Sequence, residues 1–320
     1  MRKLLWSLFQ ILSLLVLMDH SAAGQATNAL VSGGRTEIPF QFVSRSTDAA
    51  WSSGTLLELE DRFSSAPIFR TWDRAGKLLS EITFTFPDAY HINIYSNSFA
   101  RGADGSLAII GTADTNDAGG IRFLACVSPD GQQTIVRLSD FFPYSATIAA
   151  DGTIWVAGAN GSAQHGPLQN LIRRYDKTGA LLGSFIPWST PQKTLPPPVR
   201  SVLVSSKDRV GWYSPVSHEY VEFSLDGTAM SRFTTPSTQS DAIFGAALCD
   251  DGTVFAATPR PFSDGKPASW GILALARNSG QWSFISMNEA QAQGRLFGCD
   301  GTSLAVTTDD RTISWLNPVR

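Results

Sequence analysis

The residues of this chain that could do chemistry are few and widely separated. The chain has four histidines, and three of them, His91, His165 and His218, lie beyond the N-terminal apolar segment. No Gly-x-Ser-x-Gly sequence is present that would place a serine nucleophile on a sharp turn. No Cys-x-x-Cys pair or Cys/His spacing typical of a zinc site occurs either. The motifs therefore predict no catalytic residue, no metal site and no cofactor.

One segment resembles half of a calcium loop. Residues 114–119 read Asp-Thr-Asn-Asp-Ala-Gly, which supplies oxygen ligands and then a glycine where such loops turn sharply. The twelfth position of that loop requires a bidentate Glu, and Ala125 stands there instead. A solvated polar loop between two strands is the favoured interpretation.

The three cysteines are Cys126, Cys249 and Cys299. Cys249 and Cys299 lie near equivalent places in two repeats but are offset by one position relative to the turn glycine. Since an offset of one reverses the direction of a side chain in a strand, the two are expected to point to opposite faces. Small buried thiols are therefore expected, although a disulfide would form in an oxidising compartment if the side chains did meet.

These residues depend for their positions on a repeated β-unit, which is clearest between Ala146 and Phe185. That stretch reads as four short β-segments with two glycine turns, at Asp151-Gly152 and at Asp176–Gly179. Asp-Gly between two apolar runs is a strong hairpin signal, and here it predicts a type I′ turn. The unit is an antiparallel meander of about 45 residues, which is the size of a propeller blade.

The two turns recur along the chain. The first-turn series is Gly54, Gly105, Gly152, Arg209 (after Asp208), Gly252 and Gly301, and the second-turn series is Gly76, Gly131, Gly179, Gly227 and Gly280. Three positions after the first turn stand Leu57, Ala108, Trp155, Trp212, Phe255 and Leu304. We interpret the aspartates before the first-turn glycines as turn residues, and Trp155 and Trp212 as core residues between blades.

Six such units predict an all-β, six-bladed β-propeller made of four-stranded antiparallel blades. A closed ring leaves only short sheet edges, whereas an open stack would expose two terminal sheets. The sixth unit lacks a fourth strand, and the isolated N-terminal segment Ile38–Val43 is the candidate to supply it. The ring is therefore expected to be closed by an N-terminal strand.

The repeat ATIAADGTIWVAG followed by LIRRYDKTGALLGSF resembles the NHL-type repeat and, more loosely, the gluconolactonase/regucalcin-like six-bladed propellers. The resemblance covers residues 38–320. It implies a disc with an axial channel and a ligand site at the channel mouth. In the gluconolactonase/regucalcin-like enzymes a divalent metal is held there by Glu, Asn and Asp side chains. Those ligands cannot be matched residue by residue in this chain.

The predicted starts of the inner strands offer a different set of side chains, which is mostly aromatic and cationic. The candidate ligand-binding residues are His91, Tyr144, Arg200, Asp241 and Arg295. Two arginines near an axial pocket would favour an anionic or carboxylate-bearing ligand that binds without metal. The alternative is that Arg200 and Arg295 pair with Asp241 and neighbouring turn carboxylates.

The N-terminus predicts export. A basic start, an apolar run from Leu4 to Met18 and the small residues 21–24 are typical of a signal peptide. We expect a signal peptide at 1–23, a linker at 24–36 and the propeller at 37–320. An uncleaved anchor is the alternative, but the run is short for a bilayer span. The net charge of −3 without a basic cluster gives no indication of nucleic-acid binding.

The sequence thus predicts a secreted or periplasmic binding module, with no stable membrane span after cleavage and with a small anionic ligand or a protein as partner. A metal-dependent lactonase or hydrolase on the same scaffold is the alternative. A structural component of a larger extracytoplasmic assembly is a third. Fold alone does not decide between them.

Overall fold

The computed structural model describes residues 30–38, 48–117, 119–160, 169–185, 201–214, 217–236, 245–259, 270–277, 279–286, 295–309 and 311–319. These residues form 25 β-strands and no helix. The strands make six separate antiparallel sheets. The chain is therefore an all-β, six-bladed β-propeller, as the repeat predicts.

The strands follow one another blade by blade, from the axis outwards. Blade 1 contains β2 (Asp48–Ser52), β3 (Thr55–Glu60), β4 (Ile68–Trp72) and β5 (Leu78–Thr83); blade 2 contains β6 (Ala89–Asn93), β7 (Phe99–Arg101), β8 (Leu107–Thr115), β9 (Ile121–Val127) and β10 (Gln133–Arg137). Blade 3 contains β11 (Phe141–Ile148), β12 (Ile154–Asn160), β13 (Gln169–Tyr175) and β14 (Leu181–Phe185); blade 4 contains β15 (Val202–Ser205), β16 (Arg209–Ser214), β17 (Glu219–Ser224) and β18 (Met230–Thr234). Blade 5 contains β19 (Ala246–Leu248), β20 (Val254–Pro259), β21 (Trp270–Ala276) and β22 (Gln281–Ser286); blade 6 contains β23 (Leu296–Asp300), β24 (Ser303–Asp309), β25 (Thr312–Pro318) and β1 (Leu30–Glu37).

The inner strands β2, β7, β11, β15, β19 and β23 contact one another in this order, and β23 contacts β2 again. They therefore enclose an axis. We call the end of the disc at which the inner strands begin the upper face, and the opposite end the lower face. The upper face also receives the connections between the second and third strands of each blade. The glycine turns of both series lie on the lower face.

Every glycine of the two turn series has a positive φ, between 61° and 92°. The first hairpin of blade 3 nevertheless differs in turn type from the prediction. In blade 3 the Gly152 amide donates to the Ala149 carbonyl at 2.9 Å, and Asp151 is not among the positive-φ residues. That is a type I turn followed by a left-handed glycine, not type I′. Blade 1 has a two-residue loop in which Ser53 (φ 49°) and Gly54 (φ 73°) are both left-handed.

The apolar residues three positions after the first turn are buried, as their phase predicts. Each is 0–1% exposed: Leu57, Ala108, Trp155, Trp212, Phe255 and Leu304. Trp155 and Trp212 belong to one buried cluster between blades 3 and 4. The Trp155 ring stacks on Phe185 at 5.2 Å. Their interpretation as core residues between blades is confirmed.

An N-terminal strand closes the ring, but it is not the one expected. The fourth strand of blade 6 is β1 (Leu30–Glu37), which pairs with β25 in antiparallel register from Leu30↔Pro318 to Glu37↔Thr312. The prediction of Ile38–Val43 as the closing strand was wrong. Ile38 follows the strand and donates its amide to the Arg311 carbonyl at 2.8 Å, while residues 39–43 lie outside the described part of the chain. Residues 30–36 were expected to be linker and belong to blade 6 instead.

The inner strand of blade 2 is divided in a way that the repeat does not predict. Both β6 and β7 pair with β8, and residues 94–98 connect them. Asn97 within this connection has a φ of 63°, and its carbonyl accepts a bond from the Ala146 amide of blade 3 at 2.9 Å. The division places β6, with His91, at the upper end of β8 and beside the segment that connects β3 and β4.

Cys249 and Cys299 form a disulfide between blades 5 and 6, with Cα atoms 5.3 Å apart. The expectation of free thiols for this pair was wrong because it counted positions from the turn glycine. Phe255 and Leu304 occupy equivalent positions in their blades, and their partners on the inner strands are Ala247 and Cys299. Cys299 is therefore the equivalent of Ala247. Cys249 therefore lies two positions beyond the equivalent residue, which restores the same side-chain direction. Cys126 is a buried free cysteine, as expected.

Candidate functional site

Of the five predicted site residues, the structure describes His91, Tyr144 and Arg295. Arg200 and Asp241 lie outside the described residues. The three described residues all belong to the upper face, at the beginnings of β6, β11 and β23. His91 lies in blade 2 and Arg295 pairs with Asp48 of blade 1, whereas Tyr144 lies in the interface between blades 3 and 4.

Tyr144 is held in the interface between blades 3 and 4. Its ring packs against the buried cluster that contains Trp155 and Trp212. Its hydroxyl donates to the Gly158 carbonyl at 3.1 Å. Burial raises the pKa of this hydroxyl. Tyr144 is therefore placed to stabilise the contact between two blades.

Arg295 pairs with Asp48, the first residue of the inner strand β2. The Arg295 Nη1 group and the Ala49 amide both donate to Asp48 Oδ1, the amide at 2.8 Å. The other carboxylate oxygen, Oδ2, lies 3.8 Å from Nη1 of Arg62. Asp48 is 2% exposed, so its charge must be compensated. Two guanidiniums around one carboxylate leave a surplus of one positive charge at the inner part of the upper face.

Arg62 connects this ion cluster to an aromatic surface. Its guanidinium lies over the ring of Phe63, 4.5 Å from the centroid. The backbone of this segment runs antiparallel to the end of β6, since the Ile92 amide donates to the Ser64 carbonyl at 2.8 Å and the Ile94 amide to the Arg62 carbonyl at 3.2 Å. Asn93 therefore lies opposite Phe63, and opposite residues of an antiparallel pair share a side.

Residues 91, 93 and 95 alternate with the buried Ile92 and Ile94 and so share the outer side with Phe63. The Asn93 amide donates to the Tyr95 hydroxyl at 3.1 Å. The His91 Nδ1 atom lies 3.2 Å from Asp114 Oδ2. Phe63 and Tyr95 remain 43% and 46% exposed.

We call this surface the upper patch. It comprises Arg62, Phe63, His91, Asn93 and Tyr95, with Asp48 and Arg295 at its inner end.

The axial channel beside the patch is small. Its cavity of about 100 Å³ is lined by all six inner strands. The lining side chains are mostly small or aliphatic, such as Ala50, Ala100, Ala146 and Val204, with hydroxyls from Thr147 and Ser205. These two hydroxyls bond to each other at 2.9 Å. The channel can hold water and small groups, but not a ligand of the usual enclosed size, which needs a volume of about 300 Å³ or more.

Within the described residues, no three His, Cys, Asp or Glu side chains are grouped closely enough to hold a metal ion. The half calcium loop is organised by hydrogen bonds: Asp114 accepts the Gly120 amide at 2.8 Å through Oδ1 and faces His91 through Oδ2.

Asp104, Asp151 and Asp251 have the local role that was predicted for the turn aspartates, whereas Asp300 pairs with Arg74 of blade 1 at 2.7 Å. Asp151 accepts the Thr153 amide at 3.0 Å, and Asp251 the Thr253 amide at 2.9 Å. Asp104 accepts both the amide and the hydroxyl of Ser106, and these bonds lower its pKa. The carboxylates thus serve the geometry of the lower turns.

Sequence reasoning missed Asp48, Arg62 and Phe63. It considered the starts of the inner strands and passed over the short connection between β3 and β4. An arginine followed directly by an aromatic residue in that connection was a usable signal, because Tyr, Trp and Arg dominate the energetics of protein interfaces. Nothing in the sequence indicates that Asp48 and Arg295, 247 positions apart, would pair.

Comparison with known proteins supports the fold and leaves the function open. No family model matches the chain, and no curated protein matches it. A crystal structure of a protein from Bacteroides fragilis NCTC 9343, provisionally named an exported protein, is similar with a TM-score of 0.55 and 12% sequence identity, and the match covers 92% of this chain and 97% of that one. An oligogalacturonate lyase in complex with manganese matches with a TM-score of 0.44 and 11% identity over 89% of this chain and 83% of that one. At these identities the similarity to the first shows the propeller fold alone.

A search of the described residues finds no helix long and apolar enough to cross a membrane.

Proposed function

We propose that this protein is an exported, non-catalytic β-propeller that binds an acidic segment of a partner protein on the upper patch. The observation that carries the proposal is the surplus guanidinium of the Arg62–Asp48–Arg295 cluster, next to exposed aromatic rings on the same face. The NHL-type pattern of the repeat supports it, since that resemblance implies binding at the mouth of the channel.

The size of the channel favours a protein partner over an enclosed small ligand. A cavity of about 100 Å³ is well below the usual volume of small-molecule sites. The rings of Phe63 in blade 1 and Tyr95 in blade 2 are exposed on the upper patch. Exposed Tyr and Arg side chains in one patch are typical of the residues that contribute most to binding between proteins.

The positive charge of Arg62 on the upper patch favours a partner that presents a carboxylate. The Arg62 side chain is 23% exposed. Its Nη1 is 3.8 Å from Asp48 Oδ2, which is longer than a hydrogen bond. A carboxylate from the partner would complete the coordination of Arg62, and charge-assisted bonds from guanidinium to carboxylate are among the strongest polar contacts.

Three observations support export. The N-terminal segment has the pattern of a signal peptide. The disulfide between Cys249 and Cys299 is of the kind that forms and persists outside the cytosol. The structurally similar B. fragilis protein carries the name of an exported protein.

Mass spectrometry of the protein purified from its native envelope or medium tests the export proposal. We expect the mature chain to begin at Gly24 or Gln25, because the small residues that signal peptidases require lie at Ser21 and Ala23. An intact Met1 on folded protein would contradict cleavage and favour the anchor alternative.

A bead-displayed library of random heptapeptides tests the binding proposal. We expect the parent protein to enrich peptides that contain Asp or Glu together with an apolar residue. A selected peptide should bind Arg62→Gln about 10-fold more weakly, since one charge-assisted contact is lost. Asp48→Asn should bind it more tightly, because both arginines are then free of their internal carboxylate. Titration by fluorescence anisotropy measures both changes.

Arg232→Gln is the matched control, because Arg232 pairs with Glu219 on the outer part of blade 4. It should leave peptide binding unchanged. A library that enriches no acidic peptide, or affinities that do not separate Arg62→Gln from Arg232→Gln, would contradict the proposal. Hydrolysis of a panel of lactones that is abolished by a chelator would favour the metal-dependent alternative instead.

A further inference from the structure

A second concave site lies on the lower face, far from the upper patch. Four hairpin turns of blades 2 and 3 surround a cleft of about 270 Å³. Its walls include Asp104 and Ser106 from one turn, Ser128 and Pro129 from the next, Gly152 from the third and Lys177 and Thr178 from the fourth. This volume is more than twice that of the axial channel.

The floor of the cleft is apolar. Leu107, Val127 and Ile154 line it and are each 1–2% exposed. Cys126 lies beside them as a free thiol, and burial raises its pKa to about 11. The floor therefore presents aliphatic carbon and a neutral thiol, which favour an apolar group of a ligand.

The rim of the cleft carries one charge of each sign, on two neighbouring blades. Asp104 of blade 2 is kept ionised because Ser106 donates two hydrogen bonds to its Oδ1 atom, at 3.0 and 2.6 Å. Lys177 of blade 3 also lowers the pKa of Asp104 through its charge. Within the residues that the structure describes, no carboxylate oxygen lies within 4.0 Å of the Lys177 ammonium. The two charged side chains thus both line the cleft without forming an ion pair with each other.

We propose that this cleft binds a free α-amino acid with an aliphatic side chain. The ammonium group of such a ligand would lie on Asp104, its carboxylate on Lys177, and its side chain on Leu107, Val127 and Ile154. The ammonium and the carboxylate of the amino acid would each contact a side chain of opposite charge, and its apolar side chain would be removed from water. A volume near the lower limit of small-molecule sites suits a molecule of this size and excludes nucleotides.

Leucine and two analogues test the chemistry of the site on the whole protein. Leucinamide lacks the carboxylate, and 4-methylpentanoate lacks the amine. We expect leucine to bind with a Kd in the range of about 1 mM, observable by NMR titration, and each analogue to bind about 5-fold more weakly because one exposed ion pair is missing. No leucine binding at about 10 mM would overturn the proposal.

Substitutions assign the two charges. Lys177→Met should weaken leucine binding about 5-fold and should no longer distinguish leucine from leucinamide. Lys77→Met is the matched control, because Lys77 is an exposed lysine beside the corresponding turn of blade 1. If leucine keeps its preference over leucinamide in Lys177→Met, the assignment of its carboxylate to Lys177 is wrong.

Two further measurements locate the ligand. Thr134→Trp fills the mouth of the cleft from an exposed position of β10 and should abolish binding, whereas Thr83→Trp on β5 should not. Bound leucine should also slow the reaction of Cys126 with methyl methanethiosulfonate in the parent protein. Leucine binding that persists in Thr134→Trp, or that leaves the rate at Cys126 unchanged, would place the amino acid elsewhere and overturn the proposal.

Discussion

A chain that begins at residue 38 is expected to be less stable than the chain that begins at residue 24 by roughly 5 kcal/mol, since each hydrogen bond of a β-ladder contributes about 1 kcal/mol net. The truncation removes β1, which pairs with β25 along seven residue pairs. It also removes Thr36, whose hydroxyl accepts the bond from Trp315 Nε1 at 2.8 Å. Trp315 is a buried partner of Trp51 across the junction of blades 6 and 1. The loss therefore affects the contact that closes the ring.

Thermal unfolding and size-exclusion chromatography measure this effect. For a domain of this length we expect a decrease of Tm by about 10–20 °C. We also expect self-association through the free edge of β25, because an unpaired strand edge is a template for pairing with another chain. A chain that begins at residue 30 is the matched control, since it keeps all of β1, and it should behave as the parent. Equal melting of all three chains would show that β1 does not close the ring.

The turns and the core of this fold could be predicted from the sequence because their causes are local. A left-handed position in a hairpin requires glycine almost wherever it occurs, and all ten turn glycines do have positive φ. The residue three positions after each first turn is directed into the interface between blades, and only an apolar side chain is stable there. The turn glycine occurs five times in each series and the apolar position six times, so a deviation such as Arg209 does not hide the period.

The closing strand was misplaced because an outer strand carries little side-chain signal. Most of β1 is exposed, and its sequence LVSGGRTE contains two glycines and only two aliphatic residues. Its position is fixed by backbone hydrogen bonds to β25, which any sequence without proline can make. The apolar segment at 38–43 was a stronger pattern, but only Ile38 of it is described, and Ile38 packs between blades 6 and 1 after the strand has ended.

The repeat predicts where the candidate site residues lie along the strands, but it does not predict which side chains they contact. The repeat indicates which residues begin an inner strand, and it correctly assigned His91 and Arg295 to the upper face. It does not indicate which of these side chains turns into a blade interface, as Tyr144 does. That choice depends on side chains of the next blade. The pairing of Arg295 with Asp48 likewise depends on ring closure, which brings the first and last blades together.

The disulfide between Cys249 and Cys299 is expected to stabilise the ring by about 4 kcal/mol, the value that loop-closure entropy gives for a sequence separation of 50 residues. It joins blade 6 to blade 5, on the side opposite to the junction with blade 1. A backbone bond from the Asp250 amide to the Gly301 carbonyl, at 3.0 Å, lies beside it. The double variant Cys249→Ala/Cys299→Ala should therefore unfold at lower denaturant concentration, with a slightly larger slope m because its unfolded chain is less compact.

A reductant distinguishes the covalent bond from the packing of the two side chains. Dithiothreitol should lower the stability of the parent protein to near that of the double variant, which should itself be insensitive to it. Cys126→Ala is the matched control, because it removes a buried thiol that is not part of the disulfide. It should remain as sensitive to dithiothreitol as the parent. When the parent protein is unfolded without reductant, a thiol titration should detect one free thiol, that of Cys126. Three titratable thiols, together with a stability that dithiothreitol does not change, would show that blades 5 and 6 are held by packing and backbone bonds alone.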